Sequence, residues 1–193
     1  MTASALRWLE AALFSAAIGF GGWCMATLLE ARFTASLPPA HVTMSIPQSP
    51  SASRRPAPAA GTVLAKLELP SVRLSTTVLE GSDDRTLARG AGHIEDTPLP
   101  GDQGNVGIAG HRDTVFRRLR NIRAGDPLNL TTADRVFRYR VVRKLIVNPD
   151  AVEVLDPTAA PMLTLVTCYP FEYIGHAPQR FIVQAELKDV EKR

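Results

Sequence analysis

Cysteine is scarce in this chain, because its 193 residues contain only Cys24 and Cys168. Cys24 lies inside an N-terminal apolar segment, so the rest of the chain has one thiol without a partner in its own domain. If residues after about 30 are exported to an oxidising compartment, an idle exposed thiol there would be a liability. A lone exported cysteine points to a thiol that is used chemically.

Histidine is also sparse. The four histidines, at positions 41, 93, 111 and 176, and the two cysteines lack the spacing of a metal site. We therefore expect no metal and no cofactor. Modulation by Ca²⁺ stays open, because loop carboxylates are the ligands that this ion prefers, and the chain has such groups at Asp83, Asp84 and Asp102.

Net charge and aromatic content are low, at +3 and 6%. Proteins that bind single-stranded nucleic acid combine basic grooves with aromatic stacking residues, and that pattern is missing here, so we expect no nucleic-acid partner. One locally dense basic cluster remains, formed by Arg112, Arg117, Arg118, Arg120 and Arg123. We interpret it as a solvated face, with contact to an anionic surface or an acidic part of a substrate as the alternative.

A long apolar run is present near the N-terminus. Residues 11–29 carry no charge, and at about 1.5 Å per residue they would extend roughly 28 Å, close to the hydrocarbon thickness of a bilayer. A cleaved signal peptide is the alternative, but its apolar region is typically about 7 to 15 residues long. We predict an uncleaved transmembrane signal-anchor helix at 11–29, with a short cytoplasmic head at 1–10.

Residues 30–61 form a linker rich in proline, serine and alanine. This composition cannot build a hydrophobic core and favours extended chain, so the segment is expected to be a tether. The folded domain is predicted at 62–193.

Within that domain, apolar and β-branched runs alternate with turn residues. In the clearest run, Phe137, Tyr139, Val141 and Leu145 are expected to share one face of a half-buried strand. The predicted strands are Val63–Leu69, Arg73–Leu79, Asn105–Gly110, Pro127–Thr131, Val136–Val147, Leu163–Cys168 and Phe181–Leu187.

Helical signals are short. Ser82 or Asp83 is placed to cap a turn through Leu87, and Thr114–Leu119 is a second candidate. Many short strands with few helices predict an all-β domain, either an antiparallel barrel or a sandwich.

Three short runs of sequence, which we call islands, contain the residue types that a reactive thiol requires. The run at 164–168 ends in Cys168, the run at 110–113 contains His111, and the run at 179–181 contains Arg180. A free thiol is mostly protonated at neutral pH, and a neighbouring imidazolium or guanidinium stabilises its reactive thiolate. Together the islands indicate a cysteine acyl-transfer site.

These islands resemble the motifs of the sortases, a family of membrane-anchored cysteine transpeptidases. The run Thr164-Leu165-Val166-Thr167-Cys168 resembles the family's Thr-Leu-x-Thr-Cys strand end, and Gly110-His111-Arg112-Asp113 resembles its histidine motif. Arg180 follows Cys168 by 12 residues (180 minus 168), as the family's arginine does. The likeness covers residues 62–188, and Tyr169-Pro170-Phe171 is most similar to class D sortases and a related Gram-negative group.

The resemblance implies a closed eight-stranded sortase-type β-barrel with short helices. It also implies that His111, Cys168 and Arg180 converge at one rim. Cys168 would form an acyl-thioester, His111 would be the acid and then the base, and Arg180 would hold the substrate carbonyl or oxyanion.

The resemblance further implies the substrate and the location. The substrate would be an exported protein with a C-terminal sorting signal of Leu-Pro-x-Thr-Gly type, cleaved after threonine and transferred to an amine acceptor. The protein would be a single-pass protein of the cell (inner) membrane, in contact with membrane lipid. Its catalytic domain would face the extracytoplasmic or periplasmic side.

Two other functions stay open from the residues. An L,D-transpeptidase is a different cell-envelope cysteine acyltransferase, but its motif carries arginine two residues after the cysteine, where this chain has Pro170. A non-catalytic β-domain tethered to the membrane is the second.

Three further residues are candidates for supporting roles beside the catalytic groups. His93 is a rival imidazole with a structural or supporting role, and Thr167 directly precedes the nucleophile. Asp113 either orients an imidazole or caps its loop. His176 is expected to be an exposed loop residue.

Overall fold

The alternating apolar pattern does produce strands, and the strands close into a barrel. The computed structural model describes residues 57–173 and 175–193. Its strands are β1 (Val63–Leu69), β2 (Leu74–Glu80), β3 (Ala91–His93), β4 (Asn105–Ala109), β5 (Pro127–Thr131), β6 (Arg135–Val147), β7 (Met162–Tyr169) and β8 (Gln179–Lys192). The predicted eight-stranded closed β-barrel is thereby confirmed.

The barrel order is β1-β2-β3-β4-β7-β8-β6-β5, and β1 pairs with β5 to close it. Most neighbours are antiparallel, whereas β2 with β3 and β4 with β7 are parallel. The helical pieces are α1 (Asp84–Leu87) and three 3₁₀ helices at Pro70–Val72, Arg117–Asn121 and Val152–Leu155. No helix of these residues is long and apolar enough to cross a bilayer. The predicted membrane helix at 11–29 and most of the 30–61 linker lie outside the described residues.

One strand was missed by the periodicity argument. β3 has three residues and contains Gly92, and glycine is depleted in strands, so no strand pattern is visible there. The glycine is needed because a Cβ at this position would lie 2.2 Å from the Gly81 carbonyl oxygen. Close backbone approach therefore explains a strand that does not resemble one in sequence.

Several predicted boundaries were wrong. β2 begins at Leu74 because Arg73 adopts a left-handed φ of 54° after the Pro70–Val72 turn. β8 continues to Lys192 because its far half pairs with β6 as far as Arg135. The second helical segment is Arg117–Asn121 rather than Thr114–Leu119. The first was right, since Asp83 caps the helix that ends at Leu87.

The core fills the barrel interior with side chains from every strand. Fully buried members include Leu67, Val78, Ala91, Ile108, Leu128, Leu163, Leu165 and Val183. Each of the valine, leucine and isoleucine side chains stabilises the fold by about 1.5–3 kcal/mol on burial.

A bulge in β6 divides that strand into two halves. Val142 alone lies between the pairs Val141–Ala185 and Arg143–Gln184, which are adjacent on β8, so β6 has one extra residue there. Phe137, Tyr139 and Val141 lie before the bulge and enter the core as predicted. The prediction for Leu145 was wrong, because the extra residue turns it to the opposite face, where it pairs with Ile182.

Candidate active site

The candidate site is built on the face of the sheet that points away from the core, which we call the outer face. Leu163 and Leu165 of β7 lie in the core. Since successive strand residues point to opposite faces, Thr164, Val166 and Cys168 point outward. On β8 the same reasoning places Arg180 outward, because Phe181 is in the core.

Cys168 and Arg180 are direct partners across the antiparallel strands β7 and β8. Side chains of such partners share a face, with Cβ atoms about 4.5–5.5 Å apart. Arg180 is in turn opposite Val147 of β6. The two residues that the sequence separates by 12 positions therefore form one row across the outer face.

His111 lies at the same rim, next to the end of β7. β4 and β7 are parallel, and their last pair is Ala109 with Val166. His111 and Cys168 each lie two residues beyond that pair (111 minus 109, 168 minus 166). The Gly110 amide donates to the Val166 carbonyl at 3.1 Å, so the two chains stay in register past the strand end. The three predicted catalytic residues thus come together at one edge of the sheet.

Glycine at 110 is what allows this approach. A Cβ there would lie 2.7–2.9 Å from three ring atoms of Phe116, which is itself fully buried. The tight turn into His111 therefore depends on the absent side chain.

Two more rows follow below the first on the outer face. The second row is apolar and consists of Leu145, Ile182, Val166 and Ala109. The third row consists of Arg143, Gln184, Thr164 and Gly107. The apolar row lies beside the row of Cys168 and Arg180, which we call the reactive row. Ile182 is buried within the apolar row, whereas Leu145, Val166 and Ala109 are partly exposed.

The third row carries a largely buried hydrogen-bond network. The Thr164 hydroxyl donates to Asn105 Oδ1 at 2.6 Å, and the Gln184 amide donates to the Thr164 oxygen at 3.2 Å. The amides of Asn105 and Gln184 both donate to the Val154 carbonyl at 3.0 Å. The loop between β6 and β7, which contains the 3₁₀ helix Val152–Leu155, is thereby fastened over the sheet.

The reactive groups are accessible. His111 is exposed, whereas Cys168 and Arg180 are partly exposed. Arg180 Nη1 donates to the carbonyls of Ala177 at 3.2 Å and Gln179 at 3.0 Å. Its Nη1 thus fastens the start of β8.

The rival imidazole has a different environment. His93 is 2% exposed, its Nδ1 lies 2.9 Å from Glu80 Oε2, and its Nε2 lies 3.0 Å from the Pro98 carbonyl. The same Nε2 lies 3.1 Å from the Thr97 hydroxyl. Both ring nitrogens are therefore occupied by the fold.

The other predicted supporting residues have clear contacts. The Thr167 hydroxyl donates to the Gly110 carbonyl at 2.7 Å, which joins the ends of β7 and β4. The Asp113 carboxylate lies 3.4 Å from Arg112 Nε and is well exposed. His176 is exposed as expected.

Asp83, one of the loop carboxylates weighed for Ca²⁺, is occupied by a helix cap. It accepts from the amides of Arg85 and Thr86 and from the Thr86 hydroxyl. The hydroxyl bond is the main cause that lowers the pKa of Asp83. Over residues 57–173 and 175–193, no three or more His, Cys, Asp or Glu side chains cluster as metal ligands would.

Sequence reasoning missed Arg112. It was grouped with the basic cluster read as a solvated face, and Arg117, Arg118, Arg120 and Arg123 are indeed exposed. Arg112 is instead 6% exposed and hydrogen-bonded to the loop after Cys168. Its position directly after His111 was the available signal. Asn105 and Gln184 were missed as well, because nothing local marks a strand amide that fastens a distant loop.

Comparison with known proteins identifies the family. The family model described as Sortase domain matches residues 67–188. Sortase D of Bacillus subtilis is 37% identical over 127 residues, which are 65% of this chain and 64% of the relative. Sortase A of Streptococcus agalactiae is 30% identical over 135 residues, covering 65% of this chain and 53% of the relative. This chain therefore spans less than two thirds of the length of either relative.

Solved structures agree with this result. A Clostridium perfringens sortase D5 transpeptidase has a TM-score of 0.61 and 31% identity, covering 68% of this chain and 82% of the other. SrtA sortase from Actinomyces oris has a TM-score of 0.65 and 28% identity, covering 71% and 86%. The two class D relatives are consistent with the class D-like motifs. Since the matched family model covers more than half of its residues, this chain belongs to the sortase family.

Proposed function

We propose that this protein is a membrane-anchored sortase. It cleaves a C-terminal sorting signal of Leu-Pro-x-Thr-Gly type in exported proteins and transfers the new carboxyl end to an amine. The observation that carries the proposal is the row formed by Arg180 and Cys168 with His111 beside it at the sheet edge. A nucleophile, an acid–base group and a permanent cation in that arrangement suit acyl transfer.

In the first half of the reaction, the Cys168 thiolate attacks the carbonyl carbon of the signal's threonine. Arg180 donates hydrogen bonds to the oxyanion that develops on the carbonyl oxygen. His111 gives a proton to the departing glycine nitrogen as the amide bond breaks. The products of this half are an acyl-thioester on Cys168 and the released C-terminal fragment.

In the second half, an amine attacks the thioester carbonyl. His111 takes a proton from the attacking nitrogen, a new amide forms, and Cys168 leaves as the thiolate. Water in place of the amine gives hydrolysis. Leu145 and Val166, the partly exposed members of the apolar row on β6 and β7, support binding of the signal's leucine and proline, because these side chains have no polar group to leave unpaired.

The location follows from the same proposal. The uncharged run at 11–29 serves as a single-pass anchor in the cell (inner) membrane, and the barrel faces the extracytoplasmic or periplasmic side. The linker at 30–61 lets the site reach substrates held at the bilayer surface. Protease treatment of spheroplasts tests this orientation, since only an outward-facing barrel is digested while the membrane is intact.

The activity is tested with full-length protein in detergent, a fluorogenic peptide containing Leu-Pro-x-Thr-Gly and an added amine. We expect cleavage, an amine-dependent product and an acyl adduct on Cys168 in the intact mass. Cys168→Ala should abolish all three and Cys168→Ser nearly so, because an alkoxide forms far less readily than a thiolate.

Cys24→Ala is the matched control, since it removes the chain's other thiol and should keep full activity. Cleavage by Cys168→Ala at the wild-type rate would overturn the proposal.

A further inference from the structure

Arg112 is a buried cation that the reaction described above does not use. It follows His111 directly, and only 6% of its surface is exposed. Arginine stays charged in proteins, and a charge removed from water is costly unless it is well hydrogen-bonded. A buried arginine beside a reactive histidine therefore requires identified partners.

Its Nε lies 3.4 Å from the exposed Asp113 carboxylate, and its two terminal nitrogens bind main-chain carbonyls of a single loop, the one between β7 and β8. Arg112 Nη1 donates to the Pro170 carbonyl and Nη2 donates to the Gly175 carbonyl, each at 3.0 Å. The ring of Tyr173 in the same loop lies 5.9 Å from the guanidinium carbon, within reach of a cation–π contact. The guanidinium thus bridges the beginning and the later part of this loop.

This bridge completes a set of fastenings around the nucleophile. Before Cys168, the Gly110 amide bonds Val166 and the Thr167 hydroxyl bonds Gly110. After Cys168, the Arg112 bond to Pro170 lies only two residues away. The thiol is therefore held on both sides by the segment that carries His111.

The same loop also bears on Arg180. Its later residues include Ala177, whose carbonyl accepts from Arg180 Nη1 at 3.2 Å. A shift of the loop would move a hydrogen-bond partner of Arg180 together with the chain that leaves Cys168. The loop conformation therefore couples the two members of the reactive row.

We propose that Arg112 is a positioning residue. It clamps the β7–β8 loop to the histidine segment, and so sets Cys168 and Arg180 in place relative to His111. The fork of the guanidinium is essential, because two carbonyls are held by two different nitrogens. The effect on turnover rests on the proposed function, whereas the effect on the loop does not.

The test compares Arg112→Gln and Arg112→Lys with two controls in the full-length protein. Arg120→Gln removes the same charge from an exposed arginine that pairs with Glu172 of the same loop at 3.2 Å. Leu128→Ala destabilises the core on β5, away from the loop. Amide hydrogen exchange by mass spectrometry reports on the loop, and peptide cleavage reports kcat and KM separately.

We expect faster exchange in the β7–β8 loop for both Arg112 variants, with little change in the other strands. A misplacement of about 1 Å at a reactive site can cost about 100-fold, so kcat should fall roughly 30 to 100-fold with a smaller change in KM. Arg120→Gln should stay within about threefold of wild type, because exposed ion pairs contribute little.

Three results would overturn the proposal. One is wild-type loop exchange in a folded Arg112 variant. Another is recovery of full kcat by lysine, since charge alone would then suffice. The third is a loss of kcat in Leu128→Ala as large as that in an Arg112 variant with the same free energy of unfolding. General destabilisation would then explain the effect. If Arg112→Gln does not fold, Arg112→Lys answers the same questions. Absence of cleavage by wild-type protein would count against the proposed function, while exchange would still decide on the clamp.

Discussion

At the scale of single residues, the donors of the Arg180 guanidinium divide into two groups. Arg180 is opposite Cys168, and its Nη1 is already bonded to two carbonyls at the start of β8. Its Nε and Nη2 make no hydrogen bond to another described residue. A guanidinium has five N–H donors, so one side can fasten the strand while the other serves a developing oxyanion.

Replacement of Arg180 by lysine separates charge from geometry. Lysine keeps the positive charge but cannot fasten the strand and donate to the oxyanion in the same way. We expect kcat/KM to fall about 100 to 1000-fold for Arg180→Lys, and at least as far for Arg180→Ala, by analogy with loss of one oxyanion donor. Circular dichroism controls for the fold. A lysine variant within about threefold of wild type would refute a hydrogen-bonding role.

At the scale of elements, a strand bulge and hydrogen bonds between strands and loops determine which side chains meet. The bulge in β6 turns Leu145 onto the outer face, and the network around Gln184 fastens the β6–β7 loop across that face. His93 has the corresponding role at β3, where it joins Glu80 of β2 to the Pro98 carbonyl of the loop after β3. Its imidazole therefore has a structural role.

The two histidines should therefore fail in different ways. His93→Ala removes a buried hydrogen-bonding group and leaves Glu80 without its partner, which should lower the free energy of unfolding by about 1–3 kcal/mol. Below its transition temperature, the folded enzyme should keep most of its kcat. His111→Ala should abolish turnover with little loss of stability, because His111 is exposed.

Denaturant unfolding and peptide cleavage, measured on the same preparations, check both statements. Comparable losses of kcat in well-folded variants at 93 and 111 would contradict the assignment of His111 as the acid and base.

At the scale of the whole molecule, stability comes from the barrel interior. The interior also contains a titratable group, Tyr139, which is 4% exposed. Burial raises the pKa of Tyr139 to about 12, because the phenolate is poorly solvated there. The unfolded chain loses this proton near pH 10. Between these two values the unfolded state binds fewer protons than the folded state.

Stability is therefore lost as the pH rises from about 10 to about 12. A shift of about two units corresponds to roughly 3 kcal/mol, which should appear as the difference between wild type and Tyr139→Phe in alkaline denaturant unfolding. Below pH 9 that difference should be constant. Parallel curves for the two proteins up to pH 12 would show that Tyr139 is not protected by the core.

The sequence alone determined much of this protein, because its signals are local. Alternating apolar residues predicted seven of the eight strands, and the cap signal at Ser82 or Asp83 correctly predicted a helix start. The runs around Cys168, His111 and Arg180 indicated the chemistry and the family, since residue type and short spacing survive without knowledge of the fold.

Only the tertiary structure decided what these residues touch. Pairing of β7 with β8 and β4 joins positions far apart in the chain, and no local pattern encodes that register. β3 was invisible because backbone approach at Gly92, not side-chain periodicity, defines it. The buried contacts of Arg112 and the outward turn of Leu145 arise from a loop and a bulge that other strands hold in place. Such placements depend on long-range packing, whereas periodicity reports only on neighbours along the chain.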